Sequence, residues 1–341
     1  MAEVDVSGQF DEVLALPDHL RDALWRVESA NLTPQDSPGG LVIAGVGGAS
    51  AGGGLARAAL GDSASRPIAL ARDYGLPAWT TPDTTVLCSS YSGNTEETLA
   101  AYEAAQALGA TTIVVTTGGK LAEQARADGV PVIPLPGGFQ SRAAVGYMLV
   151  VALEVARLCG AGESMRAEVD VAAEHAARLA AEWGPDSSED SLAKTLARGL
   201  HGTVPQIAGA ALTAPVAYRW KTQINENAKT PAFAAELPEL DHNELVGWDG
   251  ARDLGPFSAV FLDDSDLHPR VRQRVELTRG LIASRGASTF RVESIGQTRL
   301  QRLVSLVLLG DLLSLYLATL RGVDPGPVAV VESLRSALNG G

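Results

Sequence analysis

Five polar side chains crowd seven positions of the segment CSSYSGNTEET (Cys88 to Thr98): Ser89, Ser90, Ser92, Asn94 and Thr95. Hydroxyls beside the open amides of a helix start can satisfy the oxygens of a phosphate without any lysine. Serine and threonine are also ordinary helix caps, but capping needs one of them rather than a cluster. A second segment, GVGGASAGGG (Gly45 to Gly54), would let backbone N–H groups come close to an anionic ligand. Asp73, at the end of the next strand, is positioned for a ribose, yet the dinucleotide spacing fails because Ser50 stands where the third glycine belongs. A tight strand-to-helix turn accounts for these glycines equally well. Arg142, in GGFQSRAAVGY, opens a helix, where a cation opposes the helix dipole and therefore needs an acceptor. An anionic ligand or a structural salt bridge would each supply one. Finally, Tyr218–Trp248 gathers Lys221, Asn225, Glu226, Asn227, Lys229, Glu236, Glu239, His242, Asn243 and Glu244 around apolar anchors. A carboxylate such as Glu226 and a histidine such as His242 are the groups of proton-transfer chemistry. A solvated surface loop is the alternative.

The elements that must position these residues follow from the apolar pattern. Leu41–Gly45, a strand ending near Asp73, Thr85–Cys88, Thr112–Val115 and Val132–Leu135 are short apolar runs. Each ends in a glycine- or hydroxyl-rich turn or feeds a helical stretch, as in Glu96–Leu108 and Leu121–Ala127. This alternation predicts a parallel, doubly wound sheet with right-handed crossovers. Before it, residues 8–30 have helical spacing broken by Pro17. After it, a helical connector from Glu163 to Trp183 and the loop Gly184–Ser191 lead to a fainter repeat of the pattern. Strands are expected at Val204–Ala208, Ala259–Leu262 and Ala287–Val292. Helices are expected at Val216–Glu226, Pro269–Ser284, Leu300–Leu320 and Pro327–Leu338, the third apolar nearly all round and so buried. The expected division is 1–160, a helical connector over 161–191, and 192–341.

The composition narrows the function. With 341 residues there is room for two domains of about 100–200 residues each. The net charge of −13 would repel nucleic acid and anionic membranes, so neither is an expected partner. Two cysteines without a metal or redox motif, and an N-terminus without signal-peptide character, point to the cytoplasm.

Taken together, GVGGASAGG and SSYSGNTEET resemble the sugar isomerase (SIS) domain, which binds phosphosugars. The run NENAKTPA…LPELDHNELVGW, followed by LGDLLSLYLATLRGVDPGPV (Leu309–Val328), resembles the bifunctional phosphoglucose/phosphomannose isomerases. The resemblance spans roughly residues 40–338. It implies an α/β fold of two SIS-type subdomains, each a flavodoxin-like parallel sheet in three αβα layers. It also implies a homodimer with a shared active site, acting on hexose 6-phosphates with no cofactor and no metal.

Carried over position by position, the resemblance makes Ser90, Ser92 and Thr95 the phosphate cradle, with Gly47 and Gly48 lining the sugar. Glu226 becomes the base for a cis-enediol isomerisation between glucose or mannose 6-phosphate and fructose 6-phosphate. His242 assists ring opening from the partner subunit, and Arg142 steadies the enediolate oxygen. The chain departs from the family pattern at Ala49, where serine is usual, and at Gly54, where aspartate is. It also has no lysine in its final helix, where the nearest cation is Arg335. A non-catalytic phosphosugar-binding protein is the alternative reading.

Overall fold

The computed structural model describes residues 4–339. Its first half opens with α1 (Gln9–Leu14) and α2 (Leu16–Ser29), so the break falls at Ala15 and Pro17 sits in the first turn of α2, where its missing N–H costs nothing. There follow β1 (Leu41–Ala44), α3 (Gly48–Leu60), β2 (Ile68–Ala71), β3 (Thr85–Ser89) and α4 (Glu96–Leu108). The half closes with β4 (Thr111–Thr116), α5 (Gly119–Ala127), β5 (Val132–Pro134) and α6 (Val145–Leu158). The strands pair in the parallel order β2-β1-β3-β4-β5. The order reverses between β1 and β3, and ligands of open α/β sheets bind at such a crevice, beyond the carboxyl ends of the strands. There β1 and β3 are fully buried, with Ala44 opposite Cys88, and burial pushes the Cys88 thiol up to about 12.

Helix α7 (Arg166–Trp183) then leads to α8 (Leu192–Leu200), β6 (Val204–Gly209), α9 (Ala214–Ala228) and β7 (Phe233–Glu236). Next come α10 (Ala251–Leu254), β8 (Phe257–Asp263), α11 (Pro269–Ser284), β9 (Ser288–Glu293), α12 (Arg299–Arg321) and α13 (Ala329–Asn339). The second parallel sheet has the order β7-β6-β8-β9. Both sheets are flanked by helices, as expected. The strand β7 and the short helix α8 were not foreseen.

One core joins the halves. Helix α12 is buried from Leu300 to Ala318 and packs on α9, α7 and α8. It is long and apolar enough to cross a membrane, but almost nine-tenths of it lies inside the protein, as in a core helix. Gly310 lets α9 approach α12 closely: a Cβ there would lie 2.1 Å from Trp220 Nε1. The indole instead fits over the glycine and donates to Leu306 O at 2.7 Å. One residue earlier, Arg219 forms a buried two-bond pair with Asp311, at 2.9 and 2.6 Å. These contacts fix α9 and therefore the residues at its C-terminal end.

At the end of β8 the chain carries Asp263 and Asp264, both buried. Asp264 accepts from Arg302 Nε at 2.8 Å and Ser294 Oγ at 2.6 Å. Burial alone would raise its pKa, but these hydrogen bonds outweigh it and leave the carboxyl below its ordinary value. Such a group stabilises the fold above its unfolded pKa and loses that contribution as pH falls through the folded value. Asp264→Asn is therefore expected to cost about 3–5 kcal/mol at pH 7 by chemical unfolding. The difference from the parent should begin to shrink as pH falls below about 4, the unfolded value, and vanish only below the lowered folded value, where the parent loses the charge too.

Candidate active site

The hydroxyl cluster lies where β3 runs into α4. Thr95 occupies the N-cap but gives the helix no side-chain bond. Its Oγ1 instead pairs with Ser90 Oγ at 2.8 Å, and Ser90 Oγ accepts from the Gly93 amide at 3.1 Å. Ser92 Oγ accepts from the Asn94 amide at 3.2 Å and is exposed. The hydroxyls are thus not consumed in capping. Ser92, Asn94 and Thr95 border a cavity of about 410 Å³ with Val46, Tyr74, Glu96 and Glu97, whereas Ser90 is buried. Across it, α13 contributes Val331, Leu334, Arg335 and Leu338. Glu96 and Glu97 oppose an anion there, Glu96 being partly engaged by the Tyr74 hydroxyl at 3.2 Å. Arg335 is the one cation among the lining residues.

Gly47 and Gly48 form the corner between β1 and α3. Gly47 has φ +59° and would have no atom within 4 Å of a Cβ, so it borders open space. Gly48 is tightly placed: a Cβ would lie 2.8 Å from Ser141 O and 3.5 Å from Arg142 Cα. The corner therefore packs against the turn that carries Arg142.

Arg142 sits in a 3-10 turn, Ser141–Ala144, that enters α6, and it is only 5% exposed. Its Nε donates to Asn227 Oδ1 at 2.8 Å. Its Nη2 donates to the carbonyls of Pro325 (2.8 Å) and Gly326 (3.1 Å) and to Gln9 Oε1 (3.1 Å). Among the described residues Nη1 makes only long contacts, 3.4 Å to Gln140 Oε1 and 3.7 Å to Glu226 Oε2. Burial pulls the guanidinium below its ordinary pKa, with the charges of Glu226 and Glu12 acting in the other direction. Glu226 lies in the last turn of α9 with its side chain 39% exposed. The guanidinium edge facing this carboxylate is the edge least committed to the protein.

Of the residues singled out from sequence, Ser92, Thr95 and Arg335 line the cavity, with Ser90 buried against Thr95, and Gly48, Arg142 and Glu226 form a second group next to Gly47 in the chain. His242 joins neither within the chain. It ends a 3-10 turn, Glu239–His242, beyond the edge strand β7 and is exposed.

Comparison with known proteins places the chain in a family. Residues 189–338 match the bacterial phospho-glucose isomerase C-terminal SIS domain. The bifunctional phosphoglucose/phosphomannose isomerase of Caldicellulosiruptor bescii is 40% identical over 334 residues, 96% of this chain and 98% of that one. The chain belongs to the bifunctional phosphoglucose/phosphomannose isomerase family. Another member, from Aquifex aeolicus, is 35% identical over 92% of this chain and 94% of its own. The fold also resembles glucosamine-6-phosphate deaminase from Thermotoga maritima, with a TM-score of 0.68 at 14% identity, covering 94% of this chain and 97% of that one.

Around the isomerase-family motifs the structure adds residues to which sequence reasoning gave no role. Asn227 holds Arg142 and is itself tied to Gln223 Oε1 (3.2 Å) and Ser314 Oγ (2.8 Å). Arg219 Nη2 donates to the Arg142 carbonyl at 3.0 Å. Gln9 gave no signal at all, since nothing near it in the sequence relates it to Arg142. Asn227→Leu keeps the volume but leaves buried donors and acceptors unpaired. It is expected to lower stability by about 2–3 kcal/mol in urea unfolding.

Proposed function

We propose that the chain interconverts glucose 6-phosphate, mannose 6-phosphate or both with fructose 6-phosphate through a cis-enediol, with Glu226 as the base. The observation that carries this reading is the pairing of a half-exposed carboxylate with the least committed edge of Arg142, Nη1, 3.7 Å away, beside the open Gly47 corner. The names of the relatives support the same chemistry. Glu226 removes the proton from C2 of the opened aldose, and the electron pair moves into a C1–C2 double bond as charge reaches the carbonyl oxygen. Arg142 Nη1 meets that charge with fixed donors, which stabilises the intermediate more than the ground state. Within the cis-enediol a proton passes from the C2 hydroxyl to the C1 oxygen, and Glu226 returns the abstracted proton to C1 as the carbonyl forms at C2, so no electrons leave the substrate. Ser90, Ser92, Thr95 and Arg335 hold the phosphate, and Gly47 and Gly48 line the sugar.

His242 of the partner subunit completes the scheme by assisting ring opening, which makes a homodimer the working unit. The reading places the enzyme in the cytoplasm with neither nucleic acid nor membrane as partner, and retains the division 1–160, 161–191 and 192–341.

In a coupled assay for fructose 6-phosphate conversion, Glu226→Gln should lower turnover about 10²–10⁴-fold while hexose 6-phosphate still binds. Unchanged turnover would remove Glu226 from its role. Sharing of the site predicts complementation between inactive variants. Glu226→Gln and His242→Asn dimers, each inactive alone, should after subunit exchange recover about a quarter of the parent activity, because half the dimers then carry one intact site. No recovery after verified exchange would place His242 outside the shared site.

A further inference from the structure

Lys229 takes no part in the scheme above, yet its conformation is unusual. Helix α9 ends at Ala228, and Lys229 follows at φ +52°, the left-handed position that glycine usually takes at a helix end. A side chain kept in such a place points to a role for that side chain. Its Nζ donates to three backbone carbonyls: Glu226 at 2.5 Å, Pro325 at 3.1 Å and Pro327 at 2.7 Å. All three ammonium protons are therefore spent, and none is free for substrate. The bond to Glu226 O also places a cation on the exposed carbonyls at the end of α9.

The other two carbonyls belong to the segment between α12 and α13. Arg142 holds the same segment through Pro325 O and Gly326 O, so two cations grip three consecutive residues. Two of the three are prolines, which lack an N–H and have fixed φ, so the strap is stiff. Helix α13 begins two residues later and crosses the mouth of the cavity with Arg335. The helix itself is weakly embedded: Leu334 and Leu338 are each 61% exposed and Val330 is 84% exposed. Its position is therefore set at its root.

We infer that Lys229 is a positioning residue: with Arg142 it clamps the Pro325–Pro327 strap and so sets α13, and Arg335 with it, across the phosphate cradle. The kinetic part rests on the isomerase reading, whereas the clamp does not. The test uses the full chain with Lys229→Met, Lys229→Arg, Arg335→Ala and the double variant Lys229→Met/Arg335→Ala.

Without sugar, amide exchange of residues 329–338 should be about tenfold faster in Lys229→Met, while α12 keeps its protection. Equal exchange of that segment in parent and variant would overturn the clamp, even if the parent proved inactive as an isomerase. In kinetics, Lys229→Met and Arg335→Ala should each raise KM for the hexose 6-phosphate about tenfold with kcat little changed, and the double variant should be no worse than either. A multiplicative rise, about a hundredfold, would show that Arg335 works independently of Lys229 and would sink the inference. Lys229→Arg, which keeps a multidentate cation, should restore most of the exchange protection and KM. It also serves as the test should Lys229→Met fail to fold, since a loose helix with a folded Lys229→Arg core would then refute the clamp.

Discussion

Taking an arginine side chain out of water leaves a charge and five N–H groups that must find acceptors, and the placement of Arg142 follows from that demand. It draws on α1 through Gln9, on α9 through Asn227 and on the strap before α13 through two carbonyls. Those partners come from segments 85 to 184 residues away in the chain. The Arg219–Asp311 pair supports it from beneath, because Arg219 also donates to the Arg142 carbonyl. A network of this kind holds one geometry, since any displacement leaves several buried groups unpaired at once. What is left over is the Nη1 edge, and the same constraint that fixes the guanidinium aims that edge at Glu226.

The two sheets share an order of strands but differ at the equivalent strand end. In the first sheet β3 ends in neutral hydroxyls and amides that can donate to the oxygens of an anion. In the second, β8 ends in Asp263 and Asp264, whose carboxylates are engaged by Arg291, Arg302 and Ser294. Buried carboxylates would repel a phosphate, and their arginines are already committed. The repeat of architecture therefore does not repeat the binding chemistry, and the second half contributes α9 and its C-terminal turn instead. Helix α12, packed on α9, makes that contribution rigid.

Much of the fold was legible because buried parallel strands are near-continuous apolar runs and the helices between them are periodic. The helices at 269–284 and 299–321 fall within a residue of their expected spans. Strand β7 escaped because Phe233–Glu236 is a partly exposed edge strand, rich in alanine and lying close to Pro231 and Pro238. The hydroxyl cluster could be read because its residues are contiguous. The setting of Arg142 could not: Gln9, Asn227 and the carbonyls of Pro325 and Gly326 carry no pattern that links them before the chain folds. His242 was legible as a residue type, but its place in an assembled site depends on a second subunit.

The arrangement of cations also limits where protons can move. Lys229 spends its three protons on carbonyls, and burial beside Arg142 holds its pKa below the ordinary value without freeing a donor. Arginine almost never gives up a proton, so Arg142 and Arg335 can stabilise oxygens but cannot relay hydrogen. The final helix carries Arg335 and no lysine, which makes that helix a source of charge and not of protons. On the proposed reading, every proton transfer to or from the protein then falls to Glu226 within the chain and to His242 of the partner subunit. The surrounding cations fix the geometry in which those two groups work.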